Sequence, residues 1–255
     1  MMEIIKITQI SKKFGSFLNP IKALNDISFS INKGEFVGIM GPSGAGKTTL
    51  LNVISSAVKP DLGMVTINDQ VLTSMKENQL AKFRKQNLGF IFQDFNLLEA
   101  LTVEENLILP LTFSKMKKAQ IEQRLKHVNE VLGLTALNKR KISELSGGQK
   151  QLVACGRAII NSPEVLFADE PTGSLDSKSA TQLLNYLEKI NQQEKTSILM
   201  ATHDAFTASY CNRIIFIKDG SFFAELNANG NRQDFFEKII NMQKTIGGGE
   251  FFNAK

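Results

Sequence analysis

The sequence predicts an α/β fold with a parallel-sheet core, an N-terminal antiparallel β flank and an inserted α-helical subdomain. Three observations carry that prediction. The stretch from Glu35 to Leu51, EFVGIMGPSGAGKTTLL, reads as an apolar strand, a glycine-rich turn and the start of a helix. Val165 to Ala168 and Thr196 to Ala201 are continuous apolar runs of the kind buried on both faces of a parallel sheet. From Asp94 to about Pro163 the hydrophobic spacing turns helical, and the sequence distance from Thr48 to Asp169 is too long for a single crossover. The expected organisation is therefore one domain. Residues 1–93 and 164–226 form the core and its flank, 94–163 the helical part, and 227–255 a C-terminal helix with a flexible tail.

Taken in order, Glu3 to Ile10 and Ile27 to Ile31 alternate apolar with polar residues, as strands with one buried face do. Asn32-Lys33-Gly34 turns the second of these into the strand that feeds the glycine-rich turn. Leu88 to Phe92 is a short apolar strand ending at Gln93. Leu101 to Pro110 follows as a helix, then Ile121, Leu125, Val128 and Leu132 at helical spacing, with Gly133 as the cap. Ala180, Leu183, Leu184, Leu187 and Ile190 give a helix with a core face. Ile214 to Ile217, the turn Lys218-Asp219-Gly220 and Ser221 to Leu226 make a hairpin. An amphipathic helix over Phe235 to Met242 and a flexible Gly247-Gly248-Gly249 close the chain.

Hydrophobic content of 42% and charged content of 22% describe a globular protein, and no run reaches the ~18 apolar residues that span a bilayer. The N-terminus MMEIIKITQ lacks a signal pattern, which predicts a cytoplasmic protein. Cys155 and Cys211 lack C-x-x-C spacing and read as free thiols in a reducing compartment. The net charge is +5, with clusters at Lys115, Lys117, Lys118 and at Lys139, Arg140, Lys141, but no aromatic residues interleave as single-strand nucleic-acid readers require. A solvated helical face is the first reading of these clusters and a membrane surface or acidic partner the second; no nucleic acid is expected.

The chemistry concentrates in a few positions. Gly41, Gly46, Lys47 and Thr48 complete G-x-x-x-x-G-K-[ST], with Pro42, Ser43, Gly44, Ala45 and Thr49 in the same loop. Backbone N–H groups can wrap a polyphosphate where side chains are absent, and the helix N-terminus adds donors and partial positive charge. Lys47 then reaches the β- and γ-phosphates and the Thr48 hydroxyl sits on Mg²⁺. Asp169 and Glu170 stand at the carboxyl end of a buried strand, where open α/β sheets bind ligands. Asp169 is placed to hold Mg²⁺ and Glu170 to polarise the attacking water. His203 follows another parallel strand, where it can bond a γ-phosphate; His127, within a basic helix, reads as an ordinary surface residue. Phe14 is a candidate adenine-stacking ring or a plain phenylalanine. Ser146, Gly147, Gly148 and Gln149 look like a second phosphate-binding helix terminus.

The order GPSGAGKT, Gln93, LSGGQ, FADEPT, Gly173-Ser174-Leu175-Asp176 and His203 resembles the nucleotide-binding subunit of ABC transporters over nearly the whole chain. The resemblance implies a P-loop NTPase of the ABC ATPase fold, with ATP and Mg²⁺ as ligands. It implies a homodimer in which the LSGGQ of one subunit, through Ser146 and Gly148, closes over ATP held by the other. By the same carry-over Gln93 senses metal and γ-phosphate, Ser174 to Asp176 link the two sites, and Phe14 stacks on adenine. The subunit would sit on the inner face of the cell membrane through an integral membrane permease.

A narrower likeness runs over Arg84 to Pro110, which resembles the lipoprotein-releasing, macrolide-efflux and antimicrobial-peptide-resistance branch. Ile39 to Asn52, Ala208-Ser209-Tyr210 and Asn212-Arg213 are similar to its bacitracin-resistance type. An ATPase for lipoprotein release or macrolide efflux is the alternative. A DNA-repair relative would need a long heptad insertion, a translation-factor relative two tandem copies, and a non-catalytic module the loss of Glu170 or His203; the sequence has none of these. Two departures stand out: Leu152 occupies a position where the family has arginine, and Gly156 one where it has alanine, at a cost of ~1 kcal/mol inside a helix. They bear on turnover rate; Arg157 is kept.

Overall fold

The computed structural model describes residues 2–16, 20–112 and 116–247; Lys115 of the first lysine cluster and the tail residues Gly248 and Gly249 lie outside that range. Its first elements are β1 (Glu3–Phe14), β2 (Ile21–Asn32), β3 (Phe36–Met40), α1 (Lys47–Ile54), β4 (Leu62–Ile67), β5 (Gln70–Val71), α2 (Glu77–Asn87) and β6 (Leu88–Ile91). Next come α3 (Val103–Thr112), α4 (Lys118–Leu132), α5 (Gly147–Ile159), β7 (Val165–Asp169) and α6 (Ser177–Glu194). The chain then runs through β8 (Ser197–Ala201), α7 (Ala205–Ala208), β9 (Arg213–Lys218), β10 (Ser221–Asn227) and α8 (Arg232–Ile246). It divides into two compact units, Met1–Lys76 with Leu199–Lys255, and Glu77–Ile198.

In the first unit an antiparallel sheet has the order β2-β1-β4-β5. Ile5 pairs with Ile31 and Ile10 with Ile27, and these residues with Ile7 form its buried face, which is the alternation seen in the sequence. Both strands are longer than that alternation. The register shifts between Ile7 and Ile10 and again before Lys12, and Gln9 and Asp26 take φ of 54° and 52°. Such bulges break the period of two and hide the strand ends. β4 escapes the same reading because its apolar residues stand at 62, 64, 65 and 67, with Leu62 and Met64 exposed and Val65 and Ile67 buried.

The other strands of this unit, in the order β10-β9-β3 and on to the end of β8, include the parallel pair of β3 and β9, in register from Val37–Arg213 to Met40–Phe216. The hairpin of β9 and β10 turns through Asp219 and Gly220, both at positive φ (49° and 74°), as a two-residue type I′ turn demands. Arg213 ties these strands together. Its guanidinium donates to Glu35 (2.7 and 3.1 Å), to Glu225 (2.9 Å) and to the carbonyl of Ser30 (2.6 Å). Burial works against its charge, but the two carboxylates outweigh that and raise its pKa.

In the second unit β6 and β7 are parallel, in register from Leu88–Val165 to Ile91–Ala168. α2 carries one buried residue, Phe83, and so gives no periodic signal. α5 packs against α3 and α4 at Gly156, where a Cβ would stand 2.6 Å from Leu107 Cδ2, 3.0 Å from Val128 Cγ1 and 3.1 Å from Leu132 Cδ1. The glycine thus has a packing reason: an alanine there meets three buried side chains. Leu152, on the same helix, is buried as well. His127 has its Nε2 3.0 Å from Glu194 Oε1, on the surface. Among the described residues no helix is long and apolar enough to cross a membrane.

Candidate functional site

In the first unit β3 ends at Met40 and the chain enters the glycine-rich loop. A Cβ on Gly41 would collide with the carbonyl of Ile217 in the neighbouring strand, so the backbone there can only be glycine. Gly44 and Gly46 sit at φ of 79° and 99°, and a Cβ on Gly46 would come within 2.5 Å of the Ala23 carbonyl. Ala45 is buried, its N–H donating to the Pro42 carbonyl at 3.1 Å. Lys47 begins α1 and is 9% exposed; its ammonium donates to the carbonyls of Gly41 (2.9 Å) and Pro42 (3.2 Å), which hold it over the loop. The N-cap, Gly46, offers no side chain, and the first turn of α1 has no acidic residue, so the positive end of the helix faces the loop without an internal anion. Thr48 is exposed on that turn and Thr49 half-buried.

His203 follows β8 in the same unit. Thr202 is buried and its N–H donates to the Ile39 carbonyl at 3.0 Å; Asp204 caps α7, accepting from Thr207 N–H (2.8 Å) and Oγ1 (2.6 Å). The exposed imidazole between them shares a cavity of about 240 Å³ with Gly41, Pro42 and Ser43. Phe14, at the end of β1, is 44% exposed, and Lys12 Nζ lies over its ring, 5.5 Å from the centroid.

The second unit brings together the other candidates. Asp169 is the last residue of β7, and Glu170 follows at φ 45°, a left-handed conformation that costs a non-glycine residue of order 1 kcal/mol or more. The Gly173 N–H closes this turn on the Glu170 carbonyl at 3.0 Å. A Cβ on Gly173 would touch both that carbonyl and the Gln93 amide nitrogen at 3.4 Å, so the glycine lets the end of β6 approach the carboxylate turn. Ser146 caps α5 in a capping box: its hydroxyl accepts from Gln149 N–H (3.3 Å), and its own N–H donates to Gln149 Oε1 (3.0 Å). A Cβ on Gly148 would come within 2.5 Å of Ser179 Oγ on α6, and one on Gly147 would lie 3.8 Å from the Ser174 carbonyl. Asp176 caps α6, accepting from the Ser179 hydroxyl (2.7 Å) and from the N–H groups of Ser179 and Lys178; the hydroxyl foremost, these bonds hold its carboxyl below the usual range.

Sequence reasoning did not anticipate how the segment after Gln93 is held. Arg157 of α5 donates to the carbonyls of Asn96 (2.6 Å) and Phe95 (3.0 Å), residues at positive φ, and Gln151 donates to the Phe92 carbonyl (3.4 Å). The buried Asn106 accepts from Leu98 N–H at 2.9 Å and donates to its carbonyl at 3.0 Å. The signal for the Asn106 bonds was a single polar residue on the apolar face of the helix predicted over Leu101 to Pro110.

The donor set fits a nucleotide with its metal. Among the described residues no group of three or more His, Cys, Asp or Glu could hold a metal ion. The oxygen donors present, the Thr48 hydroxyl and the Asp169 carboxylate, are of the kind magnesium takes when it arrives with phosphate oxygens and keeps its waters. The uncapped helix terminus and the carbonyl-held ammonium suit the phosphates themselves.

A family model described as "ABC transporter" matches residues 24–173. The chain is 47% identical to the uncharacterized ABC transporter ATP-binding protein YvcR of Bacillus subtilis, covering 100% of both. It is 47% identical to the bacitracin export ATP-binding protein BceA of Halalkalibacterium halodurans, over 97% of this chain and 98% of that one. A solved dimeric structure of the ATP-binding cassette MJ0796 in a post-hydrolysis state, bound to ADP and Pi, is similar with a TM-score of 0.82 and 36% identity, over 89% of this chain and 100% of that one. MJ0796 is a protein of Methanocaldococcus jannaschii.

Proposed function

The chain belongs to the ABC transporter family as an ATP-binding subunit with the ABC ATPase fold, hydrolysing ATP with Mg²⁺, and from that premise we propose that its permease protects against, or senses, cell-wall-targeting peptides of the bacitracin type. The observation that supports the peptide reading is the likeness to the bacitracin export protein across 97% of the chain. Members of the family dimerise and work with membrane permeases. For this chain we assign a homodimer that closes around two ATP molecules at the inner face of the membrane.

The residues divide the work as follows. In the first unit the backbone N–H groups of 41–49 and the Lys47 ammonium bind the β- and γ-phosphates, Phe14 stacks on adenine, Thr48 offers a hydroxyl to Mg²⁺, and His203 donates to a γ-phosphate oxygen. In the second unit Asp169 and Gln93 offer oxygens to the metal. Bound magnesium neutralises charge that develops on the phosphoryl oxygens. Glu170 accepts a hydrogen bond from the attacking water and aims its lone pair at the γ-phosphorus. As the new P–O bond forms, the bond to the bridging oxygen breaks, and ADP and phosphate result. The α5 terminus, Ser146 to Gln149, is presented to the ATP of the partner subunit. Asp176, committed to capping α6, fixes the segment from Ser174 that links the sites. Residues 94–163 form the subdomain that meets the permease.

The test reconstitutes the subunit with the permease that co-purifies with it and follows phosphate release against bacitracin concentration. Stimulation of several-fold is expected. Hydrolysis indifferent to bacitracin but stimulated by a macrolide or a lipoprotein would overturn the peptide assignment.

A further inference from the structure

The stripe of α8 that faces the protein holds Phe235, Ile239 and Ile246, which are 1%, 0% and 4% exposed. Gln243 continues the same row at helical spacing, four residues beyond Ile239, where an apolar residue would pack at no polar cost. Instead its side-chain amide donates to the backbone carbonyl of His203 at 2.7 Å, across 40 positions of sequence. The carbonyl can only accept, so it is the amide nitrogen that faces it.

The bond holds the oxygen of the peptide that joins His203 to Asp204. Thr202 is anchored to β3 through its N–H, and Asp204 donates to the Thr202 hydroxyl at 3.1 Å and caps α7. The peptide between His203 and Asp204 is held by its N–H on Thr202 Oγ1, and its rotation would swing the exposed imidazole. Gln243 clamps that peptide by its oxygen. The helix that carries Gln243 is itself set in register: Asn231 caps it, accepting from Gln233 N–H at 3.0 Å, and the Arg232 guanidinium lies 3.9 Å from the Tyr210 ring centroid just after α7. Gln243 and Ile246 also line the cavity of about 240 Å³ that His203 shares with Gly41 and Ser43.

We propose that Gln243 is a positioning residue for ATP hydrolysis, and that α8 thereby belongs to the hydrolytic apparatus by holding His203 on the γ-phosphate. The inference rests on the assignment of His203 to that phosphate. The variant Gln243→Leu keeps the bulk and removes the donor; Gln243→Glu keeps the shape and sets a carboxylate oxygen against the carbonyl. Both are made in the full chain, with His203→Ala beside them. Turnover, KM for ATP, equilibrium binding of ATP in the absence of hydrolysis, and melting temperature are measured for each.

The expected result for both Gln243 variants is a kcat lower by roughly fivefold to tenfold, the consequence of one lost orienting hydrogen bond. KM, ATP binding and melting temperature should stay at the wild-type values, and His203→Ala should be nearly inactive. An inactive His203→Ala with wild-type turnover in Gln243→Leu would overturn the role of Gln243 and leave that of His203 standing. Full activity in His203→Ala would remove the premise and the proposal together. Loss of binding and melting temperature in step with kcat would show that the bond only stabilises the fold, and would overturn the proposal too.

Discussion

Placing a methyl group on Gly156 sets two familiar effects against each other, and the packing around α5 decides between them. Alanine is favoured over glycine in a helix interior by about 1 kcal/mol. Against that, the new Cβ would stand 2.6 Å from Leu107 Cδ2, and 3.0 and 3.1 Å from atoms of Val128 and Leu132. Carbon atoms prefer roughly 3.5 to 4 Å, so each overlap is between about half an ångström and more than one. Leu107, Val128 and Leu132 are 0%, 2% and 1% exposed and have little room to retreat. Forcing a methylene-sized group into such a core costs about 1 to 3 kcal/mol, so Gly156→Ala should be a net loss of about 1 kcal/mol despite the better propensity. The sign should reverse when space is made. With Leu107→Ala, itself costing roughly 2 to 5 kcal/mol, the extra methyl enters the vacated volume and should recover about 1 kcal/mol or more. Urea unfolding of the four members of this double-mutant cycle, followed by the helical signal, measures both. A Gly156→Ala protein more stable than wild type by about 1 kcal/mol would show that the three side chains yield freely, and the packing argument would be wrong.

Glu170→Gln should keep ATP binding while losing the water-orienting carboxylate, so closed ATP-bound dimers should accumulate on gel filtration; hydrolysis near the wild-type rate would refute its role. Lys47→Ala and Ser146→Arg homodimers should each be nearly inactive, whereas mixing them under subunit exchange should restore phosphate release, because one loop and one signature then remain intact across the dimer. No recovery despite demonstrated mixed dimers would count against sites shared between chains. Burial, with Glu194 adding to it, pushes the Cys155 thiol up to about 12, from an ordinary value of 9.0. Between those limits the unfolded chain gives up this proton and the native chain keeps it, so this contribution to stability is intact below pH 9 and is lost as the pH rises toward 12. A thiol reagent at pH 8 should accordingly label Cys155 and the equally buried Cys211 only in denaturant; rapid labelling of the native protein would contradict their burial.

The strands that carry the loop, the carboxylates and His203 were legible because each is a continuous apolar run leading into a recognisable motif, a pattern that survives without knowledge of its neighbours. β4 and α2 were not. The first mixes exposed and buried apolar residues out of period, and the second buries a single phenylalanine, so neither presents the repeating face that sequence reasoning detects. The same holds within the site. Gly41 announces itself through the spacing of its loop, but the reason it must be glycine is a carbonyl of Ile217, and the grips of Arg157 on residues 95 and 96 and of Gln243 on residue 203 join positions 40 to 62 apart. Side-chain to backbone bonds of that kind leave no local trace. Gly156 shows the reverse error, where a residue that looks like a propensity defect is a fit to three neighbours.

The turn at Asp219-Gly220 bears on how the loop comes into being during synthesis. Gly220 N–H donates to the Ala45 carbonyl at 3.2 Å, the Gly220 carbonyl accepts from Asn25 N–H at 2.7 Å, and β3 has β9 as its parallel neighbour. A ribosome that has translated through Thr49 has delivered every residue of the phosphate loop but neither the strand beside it nor the turn beneath it. The nascent chain must wait for some 170 further residues, roughly 10 to 30 seconds at ordinary elongation rates. Until then it carries a nucleotide motif without the strand and turn that hold its loop in shape. Stalled chains ending before Arg213 should fail to retain ATP where those extending past α8 do, so that binding competence is gained late and at once.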